Sequence, residues 1–562
     1  MAGLMSSVDA QMNANAAPVS ARDQFRAVAE MRWCMFLNSL RTRRGCFELG
    51  ARIVMQGFFA LIGLGVGLGL GFGAWQVASH TSLRYLAALL WPVLIAWQFI
   101  PITIASFQEN ADLSIFLRFP LTFRSYSLFY VLFGLFDIGS IVGGIALFGI
   151  WVGVSIARPG LIPWLTLALA LFALFNIFLT RMIFAWIDRW LAQRKTREIL
   201  GGIFLFLMLA AQLLNPALHQ GTNYASEMNR AKTMQRLHIL KRVQSTLPPG
   251  LTADSLAGAQ ERKPLVASAD LLFLCCFTAA AGTILAIRLR AEYRGESLGE
   301  APSRTTKVSR ARSQKNLLEG SGPIAAVIEK EIRYLLRSGV MLYGFLAPLI
   351  IVFLFSNGSR AGRANGFSGE YALPIGVAYG FLGLTRLIYN SLGAEGAGIQ
   401  LYFMSPTPFR KVMLAKNITH TMIFVAELVL VCLIVGFRAG MPDPQILVLT
   451  FCWIVFAVPA QLAIGNILSI TMPYRLNMTR MSREQGAAGN SLLGLLTEIL
   501  VFGAGVVVYL PLRATGHTDL AAPILLALAA CSILFWLRIL SNSARMVENR
   551  KETLITTLYR AA

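Results

Sequence analysis

The chain has 562 residues, 56% of them hydrophobic and only 14% charged, against about a quarter charged in soluble proteins. That balance excludes a soluble globular class. The net charge of +22 therefore reads as basic loops held on one side of a membrane, not as a nucleic-acid footprint. Seven cysteines form no CxxC pair and support neither a disulfide framework nor a zinc site.

Taken in chain order, residues 1–52 form a polar, basic N-terminus without the apolar core of a signal peptide. Within it, Phe25, Val28, Met31, Met35, Phe36 and Leu40 fit an amphipathic lead-in helix along the membrane surface. Residues 53–288 hold six apolar spans, expected near 53–75, 84–105, 126–152, 161–186, 199–217 and 268–288. The runs are continuously apolar, which favours helices over barrel strands. In the first span the glycine-rich run Gly63–Gly69 fits close helix packing and not a phosphate loop. Residues 218–267 are expected outside, with an amphipathic helix through Met228, Met234, Leu237, Leu240 and Val243 that Pro248-Pro249-Gly250 stops.

Residues 289–338 form a basic linker and a second lead-in helix. There Ile324, Val327, Ile328, Ile332, Leu335 and Leu336 alternate with Glu329, Lys330, Glu331 and Arg333. Residues 339–541 hold six further spans, near 339–357, 371–391, 413–437, 444–470, 489–511 and 519–541, and 542–562 form a tail. Twelve spans place most of the basic loop residues on one side, so both termini are expected to be cytoplasmic. The fold class expected is an all-α polytopic membrane protein.

The two halves are related. Arg189, Arg194, Arg197 and Glu198 recur as Arg475, Arg480, Arg483 and Glu484, each at the same interval (475 − 189 = 286). Pro120, Phe123 and Arg124 recur at that interval as Pro406, Phe409 and Arg410, and Glu109 recurs as Glu395. Shared spacing at separate places marks a duplicated architecture. An even number of spans separates equivalent positions, so the six-helix repeats are parallel.

Polar residues inside spans are the next candidates. Asp137 falls in the third span, Glu427 in the ninth, Glu498 in the eleventh with Gln212 at the matching place in the fifth, and Arg181 and Arg386 in the fourth and eighth. Each charge near the bilayer centre costs about 2.5–3.5 kcal/mol on insertion scales, so each should face protein or water. They fit the lining of a translocation path, interhelical pairs such as a carboxylate with Arg386, or a neutral protonated acid. Arg197-Glu198 and Arg483-Glu484 precede the fifth and eleventh spans, where an acid caps a helix N-terminus or takes part in gating. No GxxxxGK[ST] phosphate loop and no HExxH motif occurs in the chain.

After the second span of each half lies a short aromatic piece broken by proline, with Arg118, Phe119, Pro120, Phe123 and Arg124 in one and Met404, Pro406, Phe409 and Arg410 in the other. Such a piece can lie in the interface or insert into a partner's groove. The segment from Gly398 to Asn417 and the segment from Ile328 to Arg337, with six spans per half, resemble the permease of an ABC-2-type ABC exporter. That resemblance implies that the two short pieces are coupling helices docking on a separate ABC ATPase, in two copies, which holds ATP and magnesium. It implies no catalytic residue, metal or cofactor on this chain, and a bacterial plasma membrane setting. The departure is fusion, since half-size permeases pair as two copies. Two other readings remain at this stage: an ion-gradient-driven secondary transporter, and a membrane enzyme or assembly factor acting on lipid-linked substrates.

Overall fold

The computed structural model describes residues 20–103, 121–135, 137–192, 245–295, 322–337, 371–438, 442–476 and 487–559, together with Phe345, Leu349 and Val352. All regular structure among them is helical. Half one begins with α1 (Ala21–Ser39) and α2 (Arg43–His80), followed by α3 (Ala87–Thr103). Next come α4 (Phe123–Gly134), α5 (Ile138–Ala157), α6 (Ile162–Ala192), α7 (Pro248–Gln260) and α8 (Pro264–Tyr293). Half two runs α9 (Gly322–Arg337), α10 (Ala372–Ile388), α11 (Ile399–Met404), α12 (Phe409–Arg438), α13 (Pro444–Thr471), α14 (Ala488–Ala514), α15 (Ala521–Glu548) and α16 (Lys551–Tyr559).

Eight helices are long and apolar enough to cross a membrane, and α3 and α10 are shorter apolar helices of the same kind. The fifth expected span and most of the seventh lie outside the described residues. The first crossing is longer than expected. At 38 residues and 1.5 Å per residue, α2 reaches about 57 Å, well beyond a ~30 Å hydrocarbon core.

The duplication is visible in the packing. In half one α3 packs on α5, and α6 on α8; in half two α10 packs on α12, and α13 on α15. Phe123 and Phe409, 286 residues apart, each open the helix that follows the short aromatic piece. The third crossing departs from its counterpart. It breaks between α4 and α5, whereas α12 runs unbroken.

One end of the bundle carries α1, α9, α11 and α16, and is called basal here; the other is distal. The turns from α2 to α3 and from α5 to α6 are distal, and α7 packs against both. Helical structure ahead of Pro248-Pro249 ends at Ser245, consistent with the expected stop. The two prolines also start α7, at positions where a missing N–H costs nothing. Nearly all of α7 is buried, and Glu261 and Asp254 hold Arg84 at 3.2 and 3.8 Å. Half two crosses the same end through Thr515–Leu520, so α7 is an addition to half one. The expected helix through Met228–Val243 lies outside the described residues.

The glycines of α2 do what helix packing requires. Gly67 and Gly71 lie on one face, and a Cβ at Gly149 or Gly153 of α5 would overlap their carbonyl oxygens. Gly65 and Gly69, on the other face, have open space. Spacing of four thus selects the contact face and lets two backbones touch. Between the halves, α2 packs on α14, with Met55 against Leu495.

Candidate functional site

The helix α9 is amphipathic, and its apolar residues alone would hold it flat on the bundle. Its charges do more than face water, contrary to the plain stripe expected. Lys330 and Glu331 turn inward and meet Glu395, from the turn after α10, and Lys416, from the first half of α12. Two ammonium groups and two carboxylates alternate, so the cluster is neutral. Lys416 is 0% exposed at its side chain, and its Nζ also donates to the Ser391 carbonyl at 2.9 Å. Lys330 donates to the Tyr402 hydroxyl of α11 at 2.8 Å. One cluster thereby fixes three elements to each other: the lead-in helix, the short helix α11 and the ninth span.

The electrostatics follow from that geometry. Burial works against the charge on Glu331, but Lys416 and Lys330 outweigh it and bring its pKa down to about 2. Burial likewise opposes the charge on Lys330, and Glu331 and Glu395 outweigh it and hold its pKa above the ordinary lysine value. Beside the cluster a cleft is lined by Glu331, Tyr334, Asn390, Ser391, Thr419 and His420.

Around this anchor, α11 is two-faced. Ile399 is buried, with Tyr402 and Phe403 packed on the core that also takes Leu554 and Leu558 of α16. Leu401 and Met404 project outward, 70% and 82% exposed. Phe409 stacks on Phe403 with centroids 5.8 Å apart, while Pro406 and Arg410 are exposed. Half one anchors the same region differently. Gln24 of α1 accepts from the backbone N–H of Thr122 at 3.2 Å, Tyr293 donates to the Leu121 carbonyl at 2.8 Å, and Arg290 covers the Phe123 ring. Arg124 is exposed there, as Arg410 is in half two. Arg118, Phe119 and Pro120 lie outside the described residues.

The polar residues expected inside spans separate into distinct environments. Asp137 is not mid-helix: it stands at the break before α5 and faces Arg181 of α6 at 3.8 Å, the interhelical pair considered from sequence. Glu498 accepts from the Tyr389 hydroxyl at 3.2 Å and from Gln461 at 2.9 Å. Glu427 is 1% exposed, and neither carboxylate oxygen has a hydrogen-bond partner. Arg386 is buried in α10. Gln212, Arg197, Glu198, Arg483 and Glu484 lie outside the described residues. At the start of the eleventh span, α14, the backbone N–H of Gly489 donates to Glu48 of half one at 2.9 Å.

A family described as a membrane protein of 12 TMs, that is, transmembrane segments, matches residues 49–541. The chain belongs to this family. No curated protein and no solved structure matches it. Family membership and the helical structure together establish a multi-span, all-α membrane protein.

Sequence reasoning missed the closure of the basal cluster. Lys416 and His420 were separated by a single turn, with Glu427 two turns further, and that stripe on α12 was the signal. It also passed over uncharged polar residues. Gln98 of α3, for instance, bonds Asn176 and Thr180 of α6 at 3.2 and 2.9 Å, and Asn176–Thr180 is a one-turn spacing.

Proposed function

We propose that this chain is the membrane-spanning permease of an ATP-driven ABC exporter, with ATP hydrolysis on a separate subunit. The observation that carries the reading is α11. A short helix with an apolar outer face is braced from behind by an ionic cluster reaching the lead-in helix and the ninth span. Force applied to Leu401 and Met404 would be passed to α9 and α12 without slack, which is what coupling to an external motor needs. The partner, in two copies, would hold ATP and magnesium, and neither would bind this chain. The basal end, rich in arginine, would face the cytoplasm of a bacterial cell.

The test is co-purification of the tagged chain from its native membranes in mild detergent, with ATPase activity measured. A stoichiometric phosphate-loop protein, lost in a variant with Leu401→Asp and Met404→Asp, is expected. Transport by the purified chain driven by an ion gradient, with no such partner, would overturn the reading. An ion-driven secondary transporter is the second reading, and one specific observation favours it: two carboxyls, Glu427 and Glu498, are buried within half two.

A further inference from the structure

Glu427 is hard to explain as a structural residue. Buried carboxyls in folded proteins are normally paired or hydrogen-bonded, as Asp137 and Glu498 are. Glu427 has neither oxygen satisfied. It lies on α12 between Phe424 and Val431, which belong to the half-two core with Phe381. Across from it is Gly380 of α10, where a Cβ would already touch the carboxyl carbon at 3.4 Å. At the equivalent place in half one (427 − 286 = 141) stands Ile141, so the duplicated architecture closes there without an acid.

The chemistry the site could take is narrow. A metal cation needs several oxygen ligands at once, and among the described residues no cluster of three or more ligating side chains exists. An organic cation needs space beside the carboxyl, and the neighbouring groups are phenyl rings, a valine and a glycine in contact. A proton needs only one carboxylate oxygen. The described titratable or charged side chains on the elements packed against α12 are Glu329, Lys330, Glu331, Arg333 and Tyr334 on α9, Tyr379 and Arg386 on α10, Cys452 on α13, and Cys531, Arg538, Arg545 and Glu548 on α15. None of them hydrogen-bonds Glu427.

There is also a way in. Glu427 is seven residues beyond His420 on α12, two turns along one face and about 10.5 Å in rise. His420 in turn lines the basal cleft with Glu331 and Asn390, one turn from Lys416. We propose that Glu427 is a proton-carrying carboxyl loaded from the basal cleft by way of His420, at a position where half one has Ile141. This rests on reading the bundle as a transporter, but not on which energy source drives it. In the closed arrangement described here Glu427 holds the proton; its release requires α12 to move against α10 and open the gap beyond His420.

The test needs no partner and no known substrate. Infrared difference spectra of the full chain in lipid vesicles, wild type against E427Q, should show a protonated carboxyl band at neutral pH, at the high frequency of a group without hydrogen bonds. Once the group titrates, the band should fall about tenfold for each further pH unit. His420→Leu should slow its loss after an alkaline jump by about a hundredfold, the scale for removing a positioned proton-transfer group. E427I, which places the half-one residue there, should fold and keep its thermal stability. Absence of the band, an unaltered rate in the His420 variant, or failure of E427I to fold while E427Q folds would each overturn the proposal. Those outcomes leave the ATPase co-purification result untouched, so the two readings fail separately.

Discussion

Replacing Lys416 by Met tests whether the basal cluster holds α9 in place. Lys416 is fully buried and bonds Glu331, Glu395 and the Ser391 carbonyl. Met keeps the volume of the aliphatic stem but leaves two carboxylates short of a partner. Breaking a buried pair by removing one member costs about 3–5 kcal/mol, because the other charge is stranded. Lys330 still touches Glu395 and lies 3.1 Å from Glu331, which puts the expected cost near the lower end, about 3 kcal/mol. That is about a hundredfold in the ratio of docked to undocked α9. The assay is thiol modification of a Val327→Cys variant, mapped by mass spectrometry, since Val327 is only 9% exposed under the docked helix. The modification rate should rise about a hundredfold with Lys416→Met. It should fall back when Glu331→Gln is added, since Lys330 then pairs with Glu395 and no stranded charge remains. A rate unchanged by Lys416→Met would refute the claim that the cluster adds to the apolar face of α9 in holding it docked.

Three further outcomes follow from the same geometry. The pH profile of α9 docking, normalised to the unfolded chain, should be flat between pH 4.5 and pH 10.5, the ordinary values for the two groups. Glu331 has a lowered pKa, so its contribution is complete above 4.5 and is lost as pH falls through about 2. Lys330 has a raised one, so its contribution is complete below 10.5 and is lost as pH rises through the raised value; a docking transition near neutral pH would contradict both assignments. Gly149→Ala should destabilise the chain by about 1–3 kcal/mol or prevent its accumulation, through overpacking against the Gly67 carbonyl. Gly65→Ala, with open space, should be silent in the same thermal-unfolding assay. Glu48→Ala should cost about 0.5–2 kcal/mol as the loss of a helix cap, read as easier separation of α2 from α14 in a disulfide-trapping assay between the halves. Wild-type trapping rates in that variant would show that Glu48 does not join them.

What the sequence made legible was whatever depends on local pattern. Apolar runs of span length gave the crossings, and α13 and α14 fall within a few residues of the expected ranges. The interval of 286 residues gave the duplication, and the glycine-rich run of α2 gave close helix packing, while the face that meets α5 came only with the fold. What stayed hidden depends on tertiary closure. Glu331 reads as the polar side of an amphipathic helix, and Lys416 as a basic residue near a membrane edge. Only the fold brings them together across 85 positions of sequence. The same holds for Glu48, whose partner is a backbone N–H in the other half, a donor no sequence pattern displays. At Pro248-Pro249 the sequence showed a stop but not the start: proline both ends and begins helices, and the buried helix α7 that follows depends on tertiary closure.

The differences between the halves carry more functional information than the resemblance. By the shared interval, Lys416 corresponds to Tyr130, Glu427 to Ile141 and Arg386 to Ile100. Among the described residues, half one holds the same region with hydrogen bonds from Gln24 and Tyr293, and adds the buried distal helix α7. A pair of identical halves would divide a transport cycle equally. A fused pair need not, because each half evolves on its own once both are fixed in one chain. Half two thus holds the buried, unpaired carboxyl Glu427 and the ionically braced α11, while the buried acid described in half one, Asp137, faces Arg181. Half one takes the tight glycine packing of α2 on α5 and the closed distal end. On that division, α2 and α14 form the joint through which one half moves against the other. Glu48 is the polar contact described at that joint, and a change at the basal cluster must reach half one across it.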